Sequence, residues 1–293
     1  MARSFTEIVE ARIASGATRL PIFEGTALRL RELLADPDVE IDALVAVIST
    51  EPVLASAVLR LSNSSFFGGL AEVKSVREAV MRLGLEQVAR LALLVTQGDA
   101  YRVRAKDLRP LVGSLWTHAV ACALGCQWLT ERLGRRDLSS QAFLGGMLHD
   151  IGKLLVLRVI DDLRAQNASF RPQPSLVREL LRSTHASHGE RLVRQWHIPE
   201  PYPRIVGHHH DADIDGDDAL LLVVRLVDQT CNKLGLGVEP QPDAAPAASE
   251  EAQALRLSDL VIAELEVQLE DAAPAAQAVQ SPGPEPAPAA AAH

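Results

Sequence analysis

The sequence predicts an all-α fold, and three observations indicate it. Leu, Ala, Val, Arg and Glu dominate the 293 residues, whereas runs in which β-branched and polar residues alternate are scarce. Apolar residues instead recur at intervals of three and four. Pro, Gly and capping residues separate these apolar segments from one another. The length is sufficient for a substantial core in one large domain or two small ones.

Six helices are predicted in the amino-terminal third. A short amphipathic helix comes first and stops at Gly16. Asp36-Pro37 ends the second helix and Glu51-Pro52 follows the third, because proline cannot continue a helix. Ser75 caps the fifth helix, and Gly84 separates it from the sixth. The predicted ranges are residues 4–15, 28–34, 41–48, 53–61, 75–83 and 86–96.

A second group of helices begins near Leu108. The stretch FLGGMLHDIGKL, at residues 143–154, lies within one predicted helix from Gln141 to Val159. Ser258 caps the last helix, SDLVIAELEVQLEDA. Residues 272–293 are rich in Ala and Pro and are predicted to be disordered. The other helices are predicted at residues 111–133, 175–196 and 219–233, with a short segment before the histidine run 208–210.

The charge distribution argues against a nucleic-acid partner. The net charge is −9, and residues 239–293 contain ten acidic residues and one Arg, so the preceding part of the chain is close to neutral. The sequence contains no basic cluster of the kind that neutralises phosphates. We therefore expect no DNA partner.

Cysteine usage and hydropathy predict a cytoplasmic protein without membrane contact. Cys122, Cys126 and Cys231 lack the paired spacing of a zinc site and are predicted to be buried free thiols, which suits a reducing compartment. The amino terminus lacks the apolar core of a signal peptide, and no apolar run reaches transmembrane length.

Polar side chains within apolar helices indicate a metal site. Burying His149, Asp150 and Lys153 in one apolar stretch is costly unless each group is compensated. Imidazoles and carboxylates that converge from separate helices predict one or two divalent ions: iron, manganese or zinc. Lys153 would then be a phosphate-binding cation beside the metal. The candidate ligands are His118, His149, Asp150, His185, His209, His210 and Asp228.

Each candidate also has a simpler interpretation. His118 could be a core histidine with its hydrogen bonds satisfied, and the run 208–210 could be a polar loop. Asp228 could cap a helix or pair with Arg225, and His188 is more typical of a structural or exposed residue than of a ligand. The neighbours His149 and Asp150 can both bind a metal only if the helix is distorted or the ion is approached from its edge. Glycines at 145, 146 and 152 would allow close backbone approach there.

Several motifs resemble the HDOD family (HD-related output domain). They are the start at Leu20-Pro21, the turn VLRLSNSSFFG, and the stretches FLGGMLHDIGKL, HASHGERLVRQWHIPE and IVGHHHD. The resemblance implies a helical amino-terminal half, residues 1–106, packed on an HD-type helical bundle, residues 107–271. It also implies a bacterial signalling module that acts through protein contacts, and many members are considered non-catalytic.

The related HD-GYP phosphodiesterase pattern has a counterpart in this chain at each candidate ligand. His185 fits its third-histidine motif better than His188, and His209 and His210 are taken from the run of three. Lys153 matches the HDxGK motif. The GYP signature is missing, because DADIDGDDAL follows the histidines. The resemblance therefore implies a metal site without implying cyclic di-GMP hydrolysis.

Two functions follow as hypotheses. The first is a signalling protein that binds a partner protein, with a metal or a small ligand in the HD-like pocket; Phe66 and Phe67 would be exposed anchors for the partner unless they pack in the core. The alternative is a metal-dependent phosphohydrolase acting on a nucleotide or cyclic dinucleotide, with Lys153 and Asp150 as catalytic residues. A DNA-binding regulator is disfavoured by the charge distribution.

Overall fold

The computed structural model describes residues 4–18, 20, 25–35, 38–67, 72–167, 169–213 and 215–280. All regular secondary structure in these residues is helical, as predicted. The chain divides into two compact units. We call residues 21–99 with 274–293 the small unit, and residues 1–20 with 100–273 the large unit.

Among its described residues, the small unit contains five complete α-helices around one apolar core. Ser75 caps α5, as predicted, because its hydroxyl accepts a hydrogen bond from the Glu78 amide at 3.1 Å. The Asn63 side chain makes two 2.8 Å hydrogen bonds with the Val73 backbone and so fixes the predicted turn after α4. Pro21 and Asp36-Pro37 lie outside the described residues. The helices are α2 (Thr26–Ala35), α3 (Ile41–Ser49), α4 (Pro52–Ser62), α5 (Val76–Leu83) and α6 (Leu85–Gln97).

In the large unit, the long helix α7 has a buried central segment and packs against α8 and α12. Trp116 of α7 is buried and meets the Tyr101 ring edge-on, with the ring centroids 5.0 Å apart. Helix α8 packs along α7, while α10 packs on α9 and α11. The helices are α1 (Phe5–Ala14), α7 (Arg109–Arg132), α8 (Ser139–Leu148), α9 (Ile151–Gln166), α10 (Pro174–Gln195), α11 (Tyr202–His208), α12 (Ala219–Lys233), α13 (Glu250–Ala254) and α14 (Asp259–Gln280), whose residues from 274 onward are counted with the small unit.

The predicted helix from Gln141 to Val159 is wrong, because the chain forms two helices there. Helix α8 ends at Leu148, and α9 begins at Ile151. Between them Asp150 leaves the helical conformation, with φ −99° and ψ 13°. Successive side chains on an intact helix point in different directions, so His149 and Asp150 can face one centre only because the helix is interrupted.

The limits of the two units differ from the predicted boundary after residue 106. The division falls between residues 99 and 100, and α1 belongs to the large unit, where it packs on α9. Ser4 caps α1 in a reciprocal capping box with Glu7. Helix α14 continues to Gln280, so the tail predicted from residue 272 begins inside a helix, and residues 281–293 lie outside the described part of the chain.

Within the described residues no single helix has the length and apolar composition of a membrane span. Helices α3 and α4, bent by 116° at the break between them, would meet that test as a pair.

Phe66 and Phe67 are half-buried and contact each other, with ring centroids 4.8 Å apart. They are therefore not the fully exposed anchors that the first hypothesis considered. Val53 and Met81 of the small unit are far more exposed, at 77% and 78%.

Candidate metal centre

The close crossing of α9 and α10 brings the candidate ligands together. A Cβ atom on Gly152 would lie 1.9 Å from the His185 carbonyl oxygen and 2.8 Å from the Gly189 nitrogen. Only glycine at position 152 permits this backbone contact. Gly146 likewise allows α8 to approach α7 closely, because a Cβ there would lie 2.5 Å from the Cys122 carbonyl oxygen. The two glycines thus place His149 and Asp150 between α7 and α10.

The first group of ligand atoms consists of His118, Cys122, His149 and Asp228, all buried and within 4.8 Å of one another. Nε2 of His118 lies 3.1 Å from Nε2 of His149 and 3.1 Å from Oδ1 of Asp228. Oδ1 of Asp228 is 3.8 Å from Nε2 of His149. Two nitrogens bound to one tetrahedral ion stand about 3.3 Å apart, so this spacing fits a shared ion.

The second group consists of Asp150, His185, His209 and His210, again with ligand atoms within 4.8 Å of one another. Nε2 of His185 lies 3.2 Å from Nε2 of His209. The His210 ring meets that of His185 edge-on, with the ring centroids 5.0 Å apart, and His210 is the exposed member of the group. This group therefore has one ligand that solvent can reach.

Asp150 lies between the two groups. Its Oδ2 is 3.4 Å from Nε2 of His118, and its Oδ1 is 3.4 Å from Nε2 of His185 and 3.6 Å from Nε2 of His209. Lys153 donates a 2.7 Å hydrogen bond to Oδ2, whereas the buried Oδ1 has no hydrogen-bond donor. One carboxylate thus presents one oxygen to each group, which is the arrangement of a bridging ligand.

Backbone contacts fix the tautomer of all four buried imidazoles. Nδ1 of His118, His149, His185 and His209 lies 2.7–2.9 Å from the carbonyl oxygens of Leu236, Gly146, Leu181 and Val206 respectively. A carbonyl oxygen only accepts, so each Nδ1 carries the proton and each Nε2 turns a lone pair inward. Ligating histidines in metal sites are oriented in this way. A cation between the facing lone pairs would relieve their repulsion, so the residues fit divalent metal ions.

The electrostatics of the second group favour a metal ion over a proton as that cation. Burial lowers the pKa of His185 to about 3, so its imidazole is neutral near pH 7. Burial would raise the pKa of Asp150, but Lys153 and the surrounding imidazoles hold it well below its usual value. A neutral imidazole and an ionised carboxylate are the forms that bind metals.

A proton can occupy the first group when metal is absent. Burial opposes the charge of His118, but contacts with Cys122, Asp228 and Asp150 raise its pKa well above the usual value. A protonated His118 could donate from Nε2 to Asp228. Metal and proton therefore compete for this group.

The structure brings together all seven predicted ligands and places Lys153 against Asp150. His188 lies apart from them, and its Nε2 contacts Glu10 of α1 at 2.8 Å. His208 points outward and pairs with Asp211 at 2.7 Å. Arg225 forms an ion pair with Glu251 at 2.8 Å and not with Asp228, which was the alternative role considered for Asp228. Sequence reasoning missed Cys122 as a member of the site; its spacing of four residues from His118 on one helix is the signal that could have found it.

Fold and site together define an all-α protein built around a His-Asp pair flanked by further histidines. The family model of the HDOD domain matches residues 20–212, and the chain belongs to this family. A curated relative, an uncharacterised protein of Treponema pallidum (strain Nichols), is 24% identical over 211 residues, or 70% of this chain. The chain spans only 40% of that relative's length.

Solved structures share the fold. An HDOD domain protein of unknown function from Geobacter sulfurreducens has a TM-score of 0.70 at 23% identity and covers 92% of this chain and 99% of its own. A protein from Shewanella amazonensis SB2B, described as a candidate metal-dependent phosphohydrolase, has a TM-score of 0.67 at 17% identity; the match covers 93% of this chain and 96% of that protein. A protein from Marinobacter aquaeolei VT8, described as a candidate signal transduction protein, has a TM-score of 0.66 at 23% identity; the match covers 95% of this chain and 67% of that protein. At these identities the likeness establishes the fold.

Proposed function

We propose that this protein is a signalling domain that binds two divalent metal ions in its large unit and acts through contacts with a partner protein. The observation that carries the metal-binding part is the pair of groups with inward lone pairs on either side of Asp150. Membership of the HDOD family and likeness to a protein described as a candidate in signal transduction support the signalling part.

The burial of the centre suits a signalling role. The groups draw side chains from α7, α10 and α12, from the α8–α9 junction and from the end of α11. Ions held there would tie these helices together, so metal occupancy would be coupled to the packing of the large unit. A metal that binds one arrangement of the helices better than another shifts the population toward it. The partner would then bind with different affinity to the metal-bound and metal-free forms of this unit.

The test of this function has a metal arm and a partner arm. Protein purified without chelator is analysed for its metal content, and the His149→Ala/Asp150→Ala double variant is compared with His208→Ala, whose residue is exposed and outside the centre. In-cell cross-linking then compares the partners of the same three proteins. We expect metal and a specific partner for the unmodified protein and His208→Ala, and loss of both for the double variant. Metal-free protein, or a partner that the double variant retains, would contradict the proposal.

Phosphate-ester hydrolysis is the second candidate, and the exposed edge of the second group favours it. His210 is exposed, and the Lys153 side chain keeps 13% of its surface accessible. Contact with Asp150 raises the pKa of Lys153 although burial opposes this, so the side chain stays cationic. Divalent ions bound beside it would activate water and polarise a phosphoryl oxygen. Lys153 would hold Asp150 in place and attract the phosphate of a nucleotide or cyclic dinucleotide.

An activity assay separates this candidate from a purely signalling role. Cyclic and linear dinucleotides are incubated with the protein and added Mn²⁺ or Fe²⁺, and Lys153→Gln is run beside it. If the site is hydrolytic, we expect metal-dependent turnover that falls at least about 100-fold in Lys153→Gln while the metal content persists. Absence of turnover in a protein shown to carry two ions would reject hydrolysis of these substrates.

A further inference from the structure

The buried thiol of Cys122 lies beside the first ligand group on the same helix as His118. The two residues are four apart on α7, so their side chains lie on one face. Sγ of Cys122 is 3.6 Å from Nε2 of His118, the atom that also faces His149 and Asp228. It is also 3.9 Å from Nδ1 of the same ring, so the thiol lies beside the imidazole, within 4.8 Å of the other ligand atoms of the group.

One distance in this group, that between the sulfur and Nε2 of His118, matches the separation of two ligands on one ion. Zinc lies about 2.3 Å from a thiolate and about 2.0–2.1 Å from an imidazole, which puts sulfur and nitrogen about 3.6 Å apart across a tetrahedral site. The observed separation of Cys122 and His118 is 3.6 Å. The carboxylate of Asp228 and a thiolate would together neutralise a divalent cation, as a buried charge requires.

The alternative is that Cys122 serves only as a small apolar residue. Its Sγ also contacts Sγ of Cys231 at 3.6 Å, and all three cysteines of the chain are buried and free. Cys126 and Cys231 are such packing residues, because neither joins a ligand group among the described residues. Cys122 differs from them in facing a histidine nitrogen whose lone pair is turned inward.

We propose that Cys122 binds one of the two ions as a thiolate, with His118, His149 and Asp228, and so makes the two metal positions chemically different. The inference rests on the metal-binding part of the proposed function. A thiolate favours Zn²⁺ or Fe²⁺ over Mn²⁺ and Mg²⁺. The second group, with three imidazoles and a carboxylate, accepts a wider range of divalent ions. Together with the Asp150 oxygen that faces it, the first position would have five protein ligands, all of them buried.

Cobalt substitution tests the thiolate directly. The protein is reduced, stripped of metal and titrated with Co²⁺ under anaerobic conditions, and the absorption spectrum is followed. A thiolate ligand gives a sulfur-to-cobalt charge-transfer band in the near ultraviolet, whereas imidazole and carboxylate ligands do not. We expect this band in the unmodified protein and in Cys231→Ser, and its loss in Cys122→Ser. Cys231→Ser is the matched control because it removes the other sulfur of the same contact.

The outcomes distinguish this inference from the proposed function. Protein that binds no Co²⁺ contradicts metal binding itself, and the inference fails with it. Two bound ions without a charge-transfer band, or a band that persists in Cys122→Ser, overturn the inference alone. If Cys122→Ser does not fold, X-ray absorption of the zinc-loaded unmodified protein decides: one sulfur neighbour at about 2.3 Å supports the proposal, and none overturns it.

Discussion

The orientation of single imidazole rings determines what this centre can do. His185 and His209 each donate a hydrogen bond from Nδ1–H to a backbone carbonyl oxygen three or four residues earlier in the chain. Each Nε2 lone pair is thereby aimed inward before any ligand arrives. Such preorganisation reduces the cost of assembling the site.

The pH dependence of stability follows from one of these residues. Burial lowers the pKa of His185 to about 3, against about 6.5 in the unfolded chain. Between these values the unfolded state binds a proton that the folded state does not. His185 therefore contributes stability that is present above about pH 6.5 and is lost on acidification toward about pH 3, by about 1.4 kcal/mol per pH unit.

Thermal melts in chelator at a series of pH values measure this effect. The unmodified protein is compared with His185→Gln, which lacks the titrating group. We expect the slope of unfolding free energy against pH between about pH 3 and pH 6.5 to be smaller in His185→Gln. Equal slopes in the two proteins would contradict the assignment of a buried neutral His185.

The residue types of the site could be predicted from the sequence, but not every member. His118, His185 and Asp228 stand out because an imidazole or a carboxylate in an apolar helix demands a partner. Cys122 gives only the weaker signal of its four-residue spacing from His118, because a thiol in an apolar helix is an ordinary core residue. Its proximity to the other members of the group depends on how α7 is rotated relative to α12, which local sequence does not determine.

At the scale of elements, the crossing of α9 and α10 positions the His-Asp pair. We expect Gly152→Ala to lower the free energy of unfolding by about 3 kcal/mol or more, because the new Cβ would lie 1.9 Å from the His185 carbonyl oxygen and must force the helices apart. Metal content should fall with it. Calorimetry and elemental analysis of the same preparation measure both effects.

A second glycine provides the control. Gly113 lies in α7 and has nothing within 4 Å of the position that a Cβ would occupy. Gly113→Ala should therefore leave stability unchanged or raise it by about 0.5–1 kcal/mol through higher helix propensity. If the two variants have the same stability, the close crossing at Gly152 is not as described.

The cap of α5 gives an independent prediction for the small unit. Ser75→Ala removes the hydroxyl that accepts from the Glu78 amide, so we expect a loss of about 1 kcal/mol. Ser75→Thr keeps the hydroxyl, which accepts from the Glu78 amide and donates to the Glu78 carboxylate, and should preserve the cap and the stability. Denaturant unfolding of the three proteins checks this, and an unchanged midpoint for Ser75→Ala would show that the cap contributes nothing.

Helix positions followed from the sequence better than helix interruptions did. Caps and prolines are local signals, and the helices capped by Ser4 and Ser75 form where they were expected. The break at His149 and Asp150 has no local signal, because the apolar pattern continues through it from Phe143 to Val159. Tertiary contacts at Gly146 and Gly152 impose it.

At the scale of the whole molecule, the division into units was only partly predictable. Helix α1 precedes the small unit in the chain yet packs on α9 of the large unit. An amphipathic helix shows in its sequence that it has a buried face, but not which distant helix covers that face. The contact of His188 with Glu10 belongs to this long-range packing.

Metal binding should stabilise the large unit as a whole. Each ion present at a hundredfold excess over its dissociation constant adds about 2.7 kcal/mol to the free energy of unfolding. Hydrogen exchange, measured segment by segment with metal and with chelator, should slow in α7, α9, α10 and α12 when metal is added. The His149→Ala/Asp150→Ala variant should show no metal-dependent slowing, and equal slowing in both proteins would exclude this centre as the cause.

Anomalous diffraction at a metal absorption edge, from crystals grown without chelator, tests the two-metal centre most directly. We expect two anomalous peaks, one among His118, Cys122, His149 and Asp228 and the other among His185, His209 and His210, with one oxygen of Asp150 bound to each. No peak, a single peak, or peaks at any other residues would contradict the two-metal centre.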